Sequence, residues 1–156
     1  MAERVAEVVR EETGFIIDGE IRSPGNYKVL PGAYAYKAVA KNTGTTSSTI
    51  WVARVQNYRV LDVVSDVVPP GGTISLTGYV VLFEGETSSY VFYVGHGTPP
   101  AEGQMIYVSG YDDYYGYWTL KAEKKTEEEK KGVPLWVILL GLSLVFGIGL
   151  ALLRRS

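Results

Sequence analysis

His96 is the only histidine of the chain and stands between Gly95 and Gly97. One imidazole cannot build a histidine-based metal cluster, and no Ser-His-Asp triad is read around it. The expectation is an exposed loop residue. Two carboxylate pairs, Asp62 with Asp66 and Asp112 with Asp113, offer oxygen ligands to Ca²⁺, but neither has the loop spacing of a known cage. The stretch 94–97, Val-Gly-His-Gly, has no helix after it that would cradle a phosphate. Cysteine is absent, which removes disulfides and thiolate metal sites. Catalytic residues, metal ligands and cofactors are accordingly expected to be none, and the chain does not read as an enzyme.

Chemistry of another kind is concentrated in residues 110–118, Gly-Tyr-Asp-Asp-Tyr-Tyr-Gly-Tyr-Trp. Tyrosine and tryptophan are enriched at protein interfaces because one side chain offers both apolar area and a polar tip. Tyr111, Tyr114, Tyr115, Tyr117 and Trp118 are therefore either a contact surface or the packed face of a hairpin.

Residues 132–153 contain 22 consecutive positions without a charge. As a helix they would extend roughly 33 Å, enough for a hydrocarbon layer about 30 Å thick. A buried helix of a soluble protein would keep a polar face, and this stretch has none. Pro134 suits a first helical turn, Trp136 an interfacial position, and Arg154 with Arg155 close the far side. A single-pass transmembrane helix is predicted over 133–153, with a basic tail at 154–156. Ser143, Gly147 and Ala151 recur every four residues as a ridge of small side chains, which would let two such helices approach closely. Before the span, residues 123–132 are a charged stalk, either helical through Lys/Glu pairs at four-residue spacing or a disordered spacer. Its lysines favour anionic headgroups.

The remainder is sized for one domain. A net charge of −2 gives no electrostatic reason to expect nucleic acid. Residues 1–13 place Val5, Val8 and Val9 at near-helical spacing among charges, predicting a short amphipathic arm that Gly14 stops. That arm packs on its own domain or docks on a neighbouring subunit. No apolar core of a secretory signal occurs there, so the chain reads as tail-anchored if Met1 is the true start.

From Phe15 the period becomes two. Strands are predicted near 15–21, 27–30, 33–42, 49–58, 59–68, 73–84, 88–94, 104–109 and 114–122. Tyr34, Tyr36, Ala38 and Ala40 share one face, with Lys37 and Lys41 opposite. Trp51, Ala53 and Val55 point inward, with Arg54 and Gln56 outward. The loop 42–48 is expected to join paired strands, 59–68 to cross between sheets, Gly78 to mark a bulge, and 84–86 to turn a hairpin. Residues 104–109 and 114–122 would form a last hairpin around 110–113. Short strands separated by turns every 8–12 residues or so indicate an all-β antiparallel sandwich of immunoglobulin-like or jelly-roll type over residues 14–122.

Residues 36–44 (Tyr-Lys-Ala-Val-Ala-Lys-Asn-Thr-Gly) and 67–76 (Val-Val-Pro-Pro-Gly-Gly-Thr-Ile-Ser-Leu) resemble the immunoglobulin-like sandwiches of archaeal and bacterial surface proteins. There a strand ends in an Asn-x-Gly turn, and a Pro-Gly turn precedes a strand that packs back. The resemblance spans about residues 27–95, rests on turn chemistry, and implies a fold rather than an activity.

These features describe a membrane-anchored structural or interaction protein. Its expected partners are a lipid bilayer, other subunits of a larger assembly, and a second copy through the membrane helix. Lysines on the sandwich side of the span outnumber the two arginines beyond it, which favours a cytosolic sandwich. A sandwich so placed fits a minor virion protein tying a capsid shell to an underlying membrane. The alternatives are a cell-envelope protein with its sandwich outside, and an accessory subunit of a membrane enzyme complex.

Overall fold

The strand over residues 32–42 is the spine of the molecule, and its alternation is as expected: Tyr36, Ala38 and Ala40 are buried while Lys41 is exposed. The computed structural model describes residues 4–106 and 110–123, among which ten strands form two facing sheets. In chain order they are β1 (Ala6–Val8), β2 (Gly14–Ile17), β3 (Glu20–Arg22), β4 (Gly25–Val29) and β5 (Gly32–Asn42), then β6 (Ser48–Gln56), β7 (Arg59–Val68), β8 (Thr73–Leu82), β9 (Thr87–His96) and β10 (Asp113–Ala122). The proposed stalk at 123–132 lies outside the described residues save Glu123, and the proposed membrane helix lies wholly outside them, with Pro134, Trp136, Ser143, Gly147, Ala151, Arg154 and Arg155. Among the described residues no helix is long and apolar enough to cross a membrane.

In the first sheet β5 pairs along its length with β8, and on its other side with β1 and then β2, which carries β3. The second sheet runs β4–β10–β9–β6–β7. The β5·β8 pair corresponds to strands B and E of an immunoglobulin sandwich, and β10–β9–β6–β7 to G–F–C with an added C′. All pairings are antiparallel except β4 with β10, where Gly25 stands beside Trp118 and Val29 beside Ala122 in parallel register. The immunoglobulin-like resemblance therefore holds at the level of fold, with one parallel pair in a sandwich expected to be wholly antiparallel.

Between the sheets Phe15 lies 5.3–6.2 Å, centroid to centroid, from Tyr36, Tyr90, Phe92 and Trp118. Arg54 enters the same layer. Its guanidinium sits 4.8 Å from the Tyr36 ring centre and 5.2 Å from that of Tyr90, and its Nε donates to Asp62 Oδ1 at 2.9 Å. Tyr36 Oη donates to the other Asp62 oxygen. A half-buried cation is thus neutralised by a carboxylate and flanked by two aromatic faces, which offsets its desolvation. Burial raises the Tyr36 phenol pKa, and acceptance of its proton by Asp62 raises it further.

Several sequence expectations need correction. Residues 1–13 are not helical where described: Ala6–Val8 is a strand on β5, and Arg10–Glu12 a single 3-10 turn. Ladder bonds and the carboxylates of Asp112 and Asp113 outweigh the weak helical spacing of three valines. The loop after Asn42 crosses between sheets, as does 83–86, whereas β7 stays beside β6 through a tight Asn57-Tyr58 turn. Alternation assigns faces but not partners. Gly78 marks no bulge; it stands opposite Tyr36, whose ring fills the space a side chain would take. β10 pairs with β9 and β4, and residues 104–106 of the predicted partner strand 104–109 lie instead against the β6–β7 end, 107–109 being outside the described residues.

The two stretches carrying the resemblance meet at Asn42, which is fully buried. Its side chain donates to Val68 O (2.8 Å) and Thr46 O (3.0 Å) and accepts from Gly44 N (2.8 Å), while its backbone bonds Gly71 and Gly72. The pattern x-Pro-Gly-x-Tyr occurs twice, at 23–27 and, towards the opposite end, at 30–34. In both copies the tyrosine hydroxyl donates to the carbonyl four residues back, Tyr27 to Ser23 and Tyr34 to Leu30. Each pins the corner that feeds a strand, β4 in one sheet and β5 in the other.

The ends of the sandwich are therefore distinct. One carries the first described residues, loops 43–47 and 69–72, and Asp112. The other carries Leu30, the 83–86 turn and the exit of the chain at Glu123. Tyr34→Phe removes one neutral hydrogen bond and should cost about 0.5–1.5 kcal/mol of unfolding free energy by chemical denaturation.

Candidate functional site

The outward face of the second sheet is not left to solvent. Along β6, Ile50 and Val52 face the first sheet, while Trp51, Ala53 and Val55 face outward and are nevertheless buried. The expected inward set was thus assigned to the wrong side: Arg54 is the inter-sheet residue. Trp51 lies across Gly95, whose missing side chain gives the indole its bed. Val60, Val91, Tyr93 and Ile106 complete a second apolar cluster, with Val63 and Tyr111 against it. The chain between β9 and β10 covers this cluster by folding back on the β6–β7 turn: Val60 N donates to Gln104 O (2.9 Å), Gly103 N to Val60 O (2.8 Å) and Ile106 N to Tyr58 O (2.7 Å). Trp51 Nε1 is buried without an acceptor among the described residues.

On this layer the tyrosines converge. Tyr93, Tyr111 and Tyr114 form a triangle with ring centroids 4.6, 5.7 and 5.8 Å apart, the Tyr93–Tyr114 pair stacked and the other two edge-on. Tyr117 is the extra residue of a bulge between Gly116 and Trp118, which turns its side chain out of the ladder's alternation. Tyr58 joins from the β6–β7 turn. Tyr58, Tyr114 and Tyr117 are 57%, 48% and 50% exposed. Burial pushes the Tyr93 phenol pKa up to about 12, assisted by the phenols of Tyr117, Tyr111, Tyr58 and Tyr114. Burial also raises Tyr117, with Tyr58 the next contributor.

Of the residues expected to form a contact surface, the structure brings together Tyr111, Tyr114 and Tyr117. It sends the other two elsewhere. Trp118 is fully buried between the sheets, its Nε1 donating to Arg22 O at 2.8 Å. Tyr115 packs edge-on against Trp118 at 5.1 Å and lies beneath the Arg10 guanidinium. Sequence reasoning missed Tyr58 and Tyr93. The signal for Tyr58 is its turn: Asn57 and Tyr58 both have positive φ, 52° and 63°, in a two-residue hairpin closed by Gln56 and Arg59. Glycine is preferred at the second such position, so a tyrosine is held there against its backbone preference.

The acidic candidates are engaged within the fold. Asp62 serves Arg54 and Tyr36. Asp112 Oδ2 accepts from Val5 N (2.9 Å), Ala6 N (3.0 Å) and His96 Nδ1 (2.6 Å). Asp113 takes Val8 N and Tyr114 N at 2.9 Å, with Arg4 and Arg10 nearby. His96 therefore ends β9 beside Asp112, its side chain 32% exposed, rather than standing free in a loop. Among the described residues no three His, Cys, Asp or Glu side chains converge as metal ligands.

No protein-family model matches the chain, and no curated protein is similar enough to count as a relative. Among solved structures it is similar to a CARDB domain from Pyrococcus furiosus, crystallised in complex with di-metal ions, at 10% identity and a TM-score of 0.48 over 80% of this chain and 100% of that one. A solution structure of the same domain scores alike, at 10% identity and 0.48 over 79% and 100%. A secreted serine protease of Vibrio cholerae follows at 16% identity and 0.41, over 77% of this chain and 25% of the protease. At such identities the likeness concerns architecture alone and carries no chemistry across.

Trp51→Ala should destabilise the domain by roughly 3–5 kcal/mol, whereas Trp51→Phe, which removes an unpaired buried N–H while keeping a ring, should cost much less in the same denaturation assay. The raised phenol sets a pH dependence. The folded state holds the Tyr93 proton more tightly than an ordinary phenol of pKa 10.0, so its contribution is intact below pH 10.0 and is lost as pH rises towards about 12. Unfolding free energy should fall across that window, and Tyr93→Phe should lessen the fall.

Proposed function

We propose that this chain is a non-enzymatic interaction protein: a β-sandwich tethered to a membrane by its C-terminal apolar segment, binding neighbouring proteins through the tyrosine face of its second sheet. The observation that carries this reading is the trio Tyr58, Tyr114 and Tyr117, each about half exposed, on a floor of buried Tyr93 and partly buried Tyr111. A half-exposed phenol on a rigid aromatic floor loses little conformational entropy on binding and still presents a hydroxyl, the combination that makes tyrosine common at binding hot spots. Tyr58 adds a second argument, since its backbone conformation would be relieved by glycine and its side chain is given to solvent. Strain retained beneath an exposed aromatic points to selection for the side chain.

The narrower reading is a minor virion protein between capsid and membrane, with the sandwich on the cytosolic side during assembly. It draws on the lysine-rich stalk and the apolar span. In each of these settings the tyrosine face supplies the protein contact and the C-terminal segment supplies the membrane.

Tyr58→Gly separates function from folding. Release from positive φ should leave the domain as stable as the parent or more stable by up to about 1 kcal/mol, while binding weakens. A photo-crosslinking phenylalanine at position 114, in the full chain on its native membrane, should give a discrete adduct that Tyr58→Gly diminishes. The same probe at Thr77, on the outer face of the first sheet, should give none. Equal adducts from both positions would overturn the assignment of the face.

A further inference from the structure

Exposed apolar side chains also occur at the end of the sandwich where the chain leaves it. The last cross-strand pair of β5 and β8 is Gly32 with Leu82, and immediately beyond it stand Leu30 and Phe83, 49% and 63% exposed. The chain exit is sewn to both turns. Glu123 N donates to Val29 O (2.9 Å), Gly85 N to Ala122 O (2.8 Å) and Ala122 N to Glu86 O (2.8 Å). Leu30 and Phe83 are thereby fixed beside Glu123. From Glu123 only eight residues, 124–131, precede the uncharged run that begins at Gly132. Fully extended, eight residues reach less than about 30 Å. As a helix they would give about 12 Å. This end of the sandwich is thus kept within a short reach of whatever surface the run 132–153 enters.

We infer that the exit end of the sandwich rests on the lipid headgroup layer, with Leu30 and Phe83 as its shallow apolar contacts. The inference deepens the proposed function and rests on its membrane tether. The corner Leu30-Pro31 is held by the Tyr34 hydroxyl, and Phe83 by the bond from its own N–H to Glu86 Oε1 at 2.9 Å, so both side chains are presented by rigid turns. An aromatic and an aliphatic side chain at interfacial depth gain from partial removal from water without crossing the hydrocarbon. Lys28 and Lys121, exposed on the adjoining face of β4 and β10, stand where phosphate groups would lie. Glu84 and Glu86 beside Phe83 oppose a strongly anionic surface, which makes a zwitterionic one the better match. So seated, the sandwich stands on end with its first described residues furthest from the lipid.

The absence of cysteine makes the test direct, because one introduced thiol labels uniquely. The full chain is reconstituted into phosphatidylcholine vesicles with an environment-sensitive fluorophore at Glu84→Cys, and separately at Ser47→Cys on the opposite end. Flotation reports the tether. Emission shift, and quenching by spin-labelled lipid, report the docking. The expected result is co-flotation of both proteins, a blue-shifted and quenched probe at 84, a water-like probe at 47, and loss of the shift at 84 in the double variant Leu30→Glu, Phe83→Glu, which still floats. Co-flotation with a water-like probe at 84 overturns the docking and leaves the tether standing. Failure to float overturns the tether, and the docking with it.

Discussion

Two central strands, β6 and β9, have to bury both of their faces. From Tyr90 to Gly95 no residue of β9 is exposed, and β6 is buried from Ile50 to Ala53. The first sheet can cover one face only. The other is covered by the chain itself, through an indole laid over Gly95 and a long connection folded back across it. Everything distinctive about the outer surface depends on that second layer. Without Trp51 and Ile106 beneath it, the Tyr93–Tyr111–Tyr114 triangle would have no floor, and the β6–β7 turn would have nothing against which to be held.

The same double burial explains what was legible in the sequence. Alternation at Tyr36, Ala38 and Ala40 is clear because Lys37 and Lys41 mark the opposite face, even though Val39 between them is buried as well, and its assignment is correct. At 50–55 the run Ile-Trp-Val-Ala-Arg-Val is apolar on both sides, with its one charge on the inter-sheet face, so any rule that sends charge to water assigns the faces backwards. Arg54 turns inward because Asp62, Tyr36 and Tyr90 wait there, and those partners come from three other strands. Turn chemistry signalled boundaries well: Asn42, Pro31 and the run 69–72 fall at strand ends. It could not say whether a turn closes a hairpin or crosses to the other sheet, since that depends on long-range pairing.

The site was half visible for a related reason. Density of tyrosine in 110–118 pointed to a surface, and three of its five aromatic candidates lie on one. A bulge at Gly116 shifts the alternation, so that Trp118 goes into the core and Tyr117 out. Tyr58 and Tyr93 lie about 50 and 20 residues earlier, and only the β6–β9 and β9–β10 registers bring them alongside. The arm at 1–13 was misread because its determinants are equally distant: two carboxylates at 112 and 113 accept three consecutive-region amides of a strand that local propensity does not favour.

The first and last described segments leave opposite ends of the sandwich, each lying along a ladder. Tension between them would pull β1 along β5, and β10 along β4 and β9, parallel to the strands rather than across them. Ladder hydrogen bonds loaded in that direction share the force and must slip together, instead of opening one after another like a zipper. As a mechanical element the domain is oriented to resist stretching, and its weakest link is the three-residue strand β1, which the carboxylates of Asp112 and Asp113 rivet at the point where the load would enter.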